Sequence, residues 1–202
     1  MKRTPKLIII DFNGVIVSGN YIVLTKWLAK KYHQKENYIY EILYHKWFNL
    51  AAEGKITEKA FFVNALKELG FPLSWQAARK QFMSAIKPNK LLIKYLVDLK
   101  NRGYTIVILS KNVPSQFNEG VKISGVRKHF KNLINTFDLD LPKASKKTIR
   151  LVLKKFQAKA AESVYIDDQD FNLVEAKKLG VKTLVYKNYR KLRSDLEKTL
   201  SK

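Results

Sequence analysis

Short apolar runs that end in polar residues recur along the chain and predict the strands of a sheet. The first run is Leu7–Ile10, which Asp11 follows at once, with Asn13 and Gly14 close behind. A continuous apolar run of this length is typical of a strand that is buried on both faces. Four further runs share this pattern, and they are Tyr104–Leu109, Leu133–Thr136, Ser163–Ile166 and Val181–Tyr186. The sequence therefore predicts about five strands.

Helical periodicity fills the intervals between these strands. Apolar residues recur at spacings of three and four over residues 92–99, which indicates a helix that Pro88 is predicted to start. Residues 144–156 and 170–180 repeat the helical pattern, and residues 188–200 predict either a last, basic helix or a fraying tail. Strands that alternate with helices pair in parallel. We therefore predict an α/β fold, built on a doubly wound parallel sheet of the Rossmann type.

One long helical stretch interrupts this alternation directly after the first strand. Residues 19–86 contain the pattern of about four helices. Thr57 and Ser74 are the predicted N-caps of the last two, because a hydroxyl can accept a hydrogen bond from the first helical turn. We therefore predict an α/β core formed by residues 1–18 and 87–202, with an all-helical insertion between them.

Polar side chains stand at the carboxyl ends of the predicted strands, where ligands of an open parallel sheet bind. Asp11 and Asn13 follow the first strand, Ser110 ends the second, and Asp167 and Asp168 follow the fourth. Lys143 lies in a turn between the third and fourth strands. Each residue alone has several interpretations. Asp11 suits a nucleophile, a metal ligand or a turn cap, and the acidic pair suits a metal site or a helix N-terminus. Their combination points to one site.

Charge and composition narrow the class of partner. The chain of 202 residues carries 39 basic and 17 acidic residues, a formal net charge of +22. Lysine supplies 32 of the 39, and because phosphate and base recognition prefers arginine, we interpret this charge as a solvated surface. A nucleic-acid partner stays a less favoured alternative, and the positive field should attract a phosphorylated substrate. The absence of cysteine excludes disulfides, thiolate catalysis and cysteine-bound zinc.

The first apolar run of the sequence bears on the cellular location of the protein. The first apolar run is too short for a membrane span or a signal peptide, and it ends in the charged residue Asp11. We therefore expect a cytoplasmic protein without membrane association. The sequence does not predict an oligomeric state.

The order of these motifs resembles that of the haloacid dehalogenase superfamily of hydrolases. Leu7–Val17 is similar to the first motif of this family, an apolar strand that ends in Asp-x-Asp-Gly. Ile106–Ser110 resembles the second motif, an apolar run that ends in Ser or Thr. Lys143 resembles the lysine of the third motif, and Val164–Asp168 resembles the acidic fourth motif. The resemblance thus covers nearly the whole chain.

The helical insertion fits the same resemblance. Residues 19–86 stand where this family carries its helical C1 cap. Within them, Glu53–Thr57 resembles a turn found in the caps of phosphoglycolate-phosphatase-like and sugar-phosphatase-like branches. The resemblance therefore implies a hydrolase with a cap, which acts on a small phosphorylated substrate and uses Mg²⁺.

The resemblance also implies roles for single residues. Asp11 is the expected nucleophile, which would form an aspartyl-phosphate. The expected ligands of Mg²⁺ are Asp11, Asn13, Asp167 and Asp168. The expected phosphate-binding residues are Ser110, Lys111, Asn112 and Lys143. Among these, Lys143 would also neutralise the charge that develops during the reaction.

Asn13 departs from the family pattern, and it leaves alternatives open. Phosphatases of this family usually carry an aspartate at this position, which serves as general acid and base. Asparagine keeps the backbone carbonyl for a metal but loses the proton transfer, which contributes about 10²–10⁴-fold. The alternatives are a weakened protein that binds phosphorylated ligands, a 2-haloacid dehalogenase and a nucleic-acid-end phosphatase. The acidic pair at the fourth motif favours the phosphatase over the dehalogenase.

Overall fold

Five parallel strands form the central sheet. The computed structural model describes residues 6–18 and 21–201. Its strands are β1 (Leu7–Ile10), β2 (Val17–Ser18), β3 (Lys87–Pro88), β4 (Thr105–Ser110), β5 (Leu133–Asn135), β6 (Ser163–Asp167) and β7 (Lys182–Val185). The sheet order is β5-β4-β1-β6-β7, which confirms the predicted sheet of about five strands. In its register, Ile10 lies beside Ile108 on one side and Ile166 on the other.

Helices flank this sheet and also form the segment between β2 and β3. They are α1 (Tyr21–Tyr32), α2 (Glu36–Tyr40), α3 (Asn49–Ala52), α4 (Glu58–Glu68), α5 (Trp75–Ser84), α6 (Lys90–Asn101), α7 (Pro114–Ser124), α8 (Lys146–Lys155), α9 (Val174–Lys178) and α10 (Tyr189–Leu200). A π-helical segment, Glu41–Phe48, joins α2 to α3. None of the helices in the described residues has the length and apolar character that a membrane crossing requires.

The two faces of the sheet belong to separate apolar clusters. Side chains alternate along β1, so Ile8 and Ile10 point to one face while Leu7 and Ile9 point to the other. The cluster around Ile8 and Ile10 continues into the helices of residues 21–84. The burial of β1 on both faces explains its uninterrupted apolar sequence.

The helical segment α1–α5 leaves and rejoins the sheet at one place. Strands β2 and β3 pair in antiparallel there, with Val17 opposite Pro88. Thr57 and Ser74 cap α4 and α5 as predicted, because their hydroxyls accept hydrogen bonds from the backbone N–H groups of Ala60 and Ala77. We call α1–α5 with the π-helical segment the cap segment; the division of the chain into two domains stays a prediction.

The predicted helix start at Pro88 is wrong. Pro88 belongs to β3, and α6 begins at Lys90. Asn89 is the N-cap, since its Oδ1 accepts a hydrogen bond from Leu92 N–H. The same side chain donates to the carbonyl oxygen of Val15. The pairing of β3 with β2 and this anchoring of Asn89 together fix the chain in an extended form before the helix.

The strand order explains where a site can form. The chain runs from β1 to β4 and β5 on one side, and then crosses to β6 and β7 on the other. The carboxyl ends of β4, β1 and β6 therefore meet at a topological switch point, which is the usual ligand site of such sheets. Ser110, Asp11 and Asp167 stand at these three ends.

Candidate active site

Asp11 and Lys143 form the centre of the site. Asp11 follows β1 and is 6% exposed, and Lys143 precedes α8 and is 4% exposed. Lys143 Nζ lies 2.6 Å from Asp11 Oδ1 and 2.8 Å from Asp167 Oδ2. One buried ammonium group therefore joins carboxylates from the ends of two strands.

Asp167 is held by a set of hydrogen bonds. Its Oδ1 accepts from Gln169 N–H and from Asn172 Nδ2, each at 3.0 Å, and its Oδ2 accepts from Tyr165 Oη at 3.1 Å. Asn172 reaches Asp167 because residues Asp170–Leu173 form a 3₁₀ turn before α9. The predicted helix from residue 170 thus begins with this tighter turn, which fixes the orientation of the carboxylate.

Three carboxylates converge in a geometry that fits a divalent cation. Oxygen atoms of Asp11, Asp167 and Asp168 all lie within 4.8 Å of one another. Asn13 is the neighbour from the β1 loop, and within the described part of the chain its buried Oδ1 has no hydrogen-bond partner. An all-oxygen set of this kind suits a hard cation such as Mg²⁺. The residues present therefore fit the predicted metal.

Burial and mutual repulsion shift the titration of these groups. Burial, with the neighbouring carboxylate of Asp167, raises the pKa of Asp168 to about 6. Burial also raises the pKa of Asp11, and the ammonium group of Lys143 opposes this effect. For Lys143 burial acts to lower the pKa, but Asp11 and Asp167 outweigh it and raise the pKa well above its usual value. Lys143 therefore stays charged and favours ionised carboxylates beside it.

The three residues that end or follow β4 have different environments. Ser110 is 1% exposed, and its Oγ has no hydrogen-bond partner among the described residues. The side chain of Asn112 contacts the backbone of its own loop, where its Oδ1 accepts a hydrogen bond from Val113 N–H at 2.9 Å. Lys111 extends to the cap segment, where its Nζ donates to Asn49 Oδ1 at 2.6 Å. The binding of phosphate by these three residues stays a prediction.

An aromatic wall from the cap segment covers the carboxylates, and no sequence motif pointed to a part for it in the site. Tyr40, Tyr44 and Phe48 stack in succession, with ring centroids 5.0 and 5.2 Å apart. All three rings line the small cavity that Asp11 and Gln169 also line. The spacing of four residues between these aromatics was a signal that they share one helical face. The sequence alone did not show that this face lies over Asp11.

Two neighbouring cavities occupy the space between the sheet and the cap segment. The smaller, of about 40 Å³, is lined by Asp11, Asn13, Tyr44, Lys111 and Lys143, among others. The larger, of about 320 Å³, is lined by residues that include Phe137, Leu141, Phe171, Glu53 and Lys55. Lys111 and Lys143 line both cavities. The larger cavity is therefore adjacent to the carboxylates and has the size of a small-molecule site.

Comparison with known proteins establishes the family. The family of haloacid dehalogenase-like hydrolases matches residues 8–186, and the chain belongs to this family. The resemblance drawn from the motifs is thereby confirmed at the level of the family. The C1 branch of the cap stays a prediction.

Individual relatives are more distant. The chain is 26% identical to the pyrophosphatase PpaX of Bacillus velezensis over 88 residues, which cover 44% of this chain and 41% of that protein. A haloacid dehalogenase family enzyme of Bacteroides thetaiotaomicron superposes with a TM-score of 0.75 at 18% identity, covering 92% of this chain and 95% of the other. The L-2-haloacid dehalogenase of Xanthobacter autotrophicus gives 0.66 at 18% identity, covering 96% and 83%. These structures share the fold.

Gly14 allows a test of the carboxylate cluster. It has a φ of +82°, and a Cβ added there would overlap the carboxylate of Asp168. We expect Gly14→Ala to displace Asp168 and to weaken Mg²⁺ binding by about 10–100-fold, as measured by calorimetric titration. Gly103→Ala is the matched control, because Gly103 has a φ of +94° but, chain neighbours apart, no described residue places an atom within 4 Å of the added Cβ. Equal Mg²⁺ affinity in both variants would contradict the assignment of Asp168 to the metal site.

Proposed function

We propose that this protein is a Mg²⁺-dependent phosphomonoesterase that acts on a small phosphorylated substrate through an aspartyl-phosphate on Asp11. The observation that supports the proposal is the convergence of the carboxylates of Asp11, Asp167 and Asp168. Two of them, Asp11 and Asp167, pair with the buried ammonium group of Lys143. Carboxylates that hold a hard cation allow an anionic phosphoryl group to approach a carboxylate nucleophile. The proposal therefore explains why so many buried charges meet at one edge of the sheet.

The proposed reaction assigns a role to each side chain. Asp11 would attack phosphorus in line with the departing oxygen, and Lys143 and Ser110 would bind the oxygens of the phosphoryl group. Asp11, Asp167, Asp168 and Asn13 would hold Mg²⁺, which supplies charge neutralisation and orientation when it is bound. The aromatic wall of Tyr40, Tyr44 and Phe48 would limit the access of water.

The acidic pair favours hydrolysis of a phosphate ester over displacement of halide from carbon. Displacement of halide from carbon needs a carboxylate nucleophile but no metal, so it gives no use for Asp167 and Asp168 as ligands. The enzyme of Bacteroides thetaiotaomicron that shares this fold was solved in complex with magnesium and inorganic phosphate. The dehalogenase of Xanthobacter autotrophicus also shares the fold, which makes direct comparison of the two activities necessary.

The proposal is tested by hydrolysis of 4-nitrophenyl phosphate and 2-chloropropionate, each with Mg²⁺ and with EDTA. We expect phosphate ester hydrolysis in Mg²⁺ and its loss in EDTA, with no release of chloride. Chloride release that persists in EDTA would instead establish a dehalogenase. Oligonucleotides with terminal phosphates, tested at several salt concentrations, serve as the probe for the nucleic-acid alternative, which predicts steeply salt-dependent binding.

Asn13 is the specific observation that supports a second candidate, a protein that binds phosphorylated ligands without turnover. Asn13 is half-buried, with its Oδ1 atom fully buried, and it takes the position at which phosphatases of this family usually carry the proton-transferring aspartate. The variant Asn13→Asp separates the two candidates. Turnover by the natural sequence supports the phosphatase, whereas turnover by Asn13→Asp alone would show that the natural sequence is a binding form.

A further inference from the structure

We propose that Lys111 is the proton donor to the leaving group, a role that Asn13 cannot perform. This inference rests on the proposed phosphatase function. The leaving oxygen of an alkyl or aryl phosphate needs a proton, and a positioned acid contributes about 10²–10⁴-fold. Three features of Lys111 suit it to be that acid: its location, the hydrogen bond that fixes its ammonium group, and the charges around it.

Lys111 lies next to the expected position of the leaving oxygen. Lys111 lines the small cavity together with Asp11, and it also lines the larger cavity. In-line attack by Asp11 places the leaving oxygen on the far side of phosphorus, away from the nucleophile. The organic part of the substrate would extend from that oxygen into the larger cavity, so the bond that breaks lies at the junction where Lys111 stands.

The cap segment holds the ammonium group in a fixed position. Lys111 Nζ donates to Asn49 Oδ1, and Asn49 in turn donates through Nδ2 to the carbonyl oxygen of His45 at 2.9 Å. The rings of Tyr44 and Phe48 lie 5.4 and 5.7 Å from Nζ. Asn49 therefore uses one of the three donor positions of the ammonium group. Among the described residues no other acceptor takes a hydrogen bond from it, which leaves two positions for a ligand.

The surroundings suit proton exchange near neutral pH. Burial and the nearby charge of Lys143 lower the pKa of Lys111 to about 8. Asp11 and Glu53 act on it in the opposite direction, and the ring of Tyr44 packs against it. The other titratable side chains that line the same cavities are Tyr21, Tyr40, Lys55, Asp140 and Asp168. Burial raises the pKa of Tyr44 to about 12, which makes that hydroxyl a poorer acid. Lys143 keeps its proton because two carboxylates contact it.

Lys111 gives up one proton and regains one in each proposed catalytic cycle. In the first step a bond forms between an Asp11 oxygen and phosphorus, the ester P–O bond breaks, and the ammonium group gives its proton to the departing oxygen. In the second step water attacks phosphorus from the same side and loses a proton to the neutral amine. The bond between Asp11 and phosphorus breaks, phosphate leaves, and Lys111 is again an ammonium group.

Three phosphate esters of falling leaving-group acidity test this role: 2,4-dinitrophenyl, 4-nitrophenyl and phenyl phosphate. We expect Lys111→Met to lose only a few-fold in kcat/KM on the dinitrophenyl ester, which needs no proton. On phenyl phosphate we expect a loss of about 10²–10³-fold. Lys111→Arg keeps the charge but holds its proton, so it should not restore the phenyl ester activity. Lys94→Met, at an exposed lysine of α6, controls for loss of one positive charge.

The pH profile gives an independent readout. The acid form of Lys111 is present below its pKa and lost above it. For phenyl phosphate, kcat/KM of the natural sequence should therefore fall above about pH 8, and this alkaline fall should disappear in Lys111→Met.

Other outcomes overturn the inference in distinguishable ways. An equal loss on all three esters, or rescue by Lys111→Arg, would show that Lys111 binds phosphate by charge, while the phosphatase proposal stands. If the natural sequence hydrolyses none of the esters, the phosphatase proposal and this inference both fail.

Discussion

Asp11→Asn should abolish phosphate ester hydrolysis, with a loss of roughly 10⁴-fold or more in kcat, as is typical for removal of a nucleophile. The amide has the shape of the carboxylate but cannot form the aspartyl-phosphate. The measurement is steady-state hydrolysis of 4-nitrophenyl phosphate at saturating Mg²⁺. We expect the variant to lose the chemical step but to keep its fold, so its far-ultraviolet circular dichroism spectrum should be unchanged.

A matched variant separates this effect from a general change in charge. Asp98→Asn removes an exposed carboxylate of α6 that lies 3.7 Å from Arg102, and it should leave kcat within about twofold, since surface changes of this kind have small effects. Hydrolysis that persists in Asp11→Asn would show that another group attacks phosphorus, and it would remove Asp11 from the proposed reaction.

Lys143→Met should lower stability as well as activity. The ammonium group of Lys143 compensates Asp11 and Asp167, which are 6% and 0% exposed. Removal of one partner from a buried ionic cluster leaves uncompensated charge and costs about 3–5 kcal/mol. We expect a loss of this size in the free energy of unfolding, measured by urea titration in EDTA at neutral pH. Hydrolysis should fall in parallel, because the Asp11 carboxylate loses its neighbouring cation.

Acid and Mg²⁺ should each relieve this loss of stability. Without Lys143 the pKa of Asp11 rises further above its ordinary value, so its ionisation opposes folding and the penalty grows as the pH rises. Stability of the variant should therefore recover as the pH falls, and Mg²⁺ should reduce the deficit by binding the carboxylates. Lys146→Met is the control, since Lys146 is exposed and lies 3.7 Å from Glu175. Equal stability of Lys143→Met and the natural sequence in EDTA would contradict the proposed compensation.

The arrangement of strands was predictable because the signals for it are local. A strand buried on both faces must be apolar throughout, and the residue after it is at the sheet edge whatever the rest of the chain does. Asp11, Ser110 and Asp167 were located by this rule, and the structure brings Asp11 and Asp167 to one lysine. Lys143 lies in a turn before α8, where its position near a strand end made it a candidate, and the family resemblance gave it a role.

The remaining features depend on contacts between distant parts of the chain. Pro88 lies in a strand because Val17 pairs with it, and no pattern near residue 88 contains that information. The position of Tyr44 beside Asp11 depends on how the cap segment packs on the sheet. The contact between Lys111 and Asn49 joins residues 62 positions apart. Sequence patterns therefore predicted the strand ends, whereas the contacts made by the cap segment required the folded chain.

Acid quenching during a single turnover, followed by mass spectrometry of the peptide that contains Asp11, tests the central claim most directly. Enzyme in excess over 2,4-dinitrophenyl phosphate should acquire a phosphoryl group on Asp11 that appears with the release of dinitrophenol and then decays as phosphate is released. The adduct should be sensitive to hydroxylamine, as an acyl phosphate is. Complete turnover with no adduct at any time, or with the phosphoryl group on another residue, would contradict the aspartyl-phosphate mechanism.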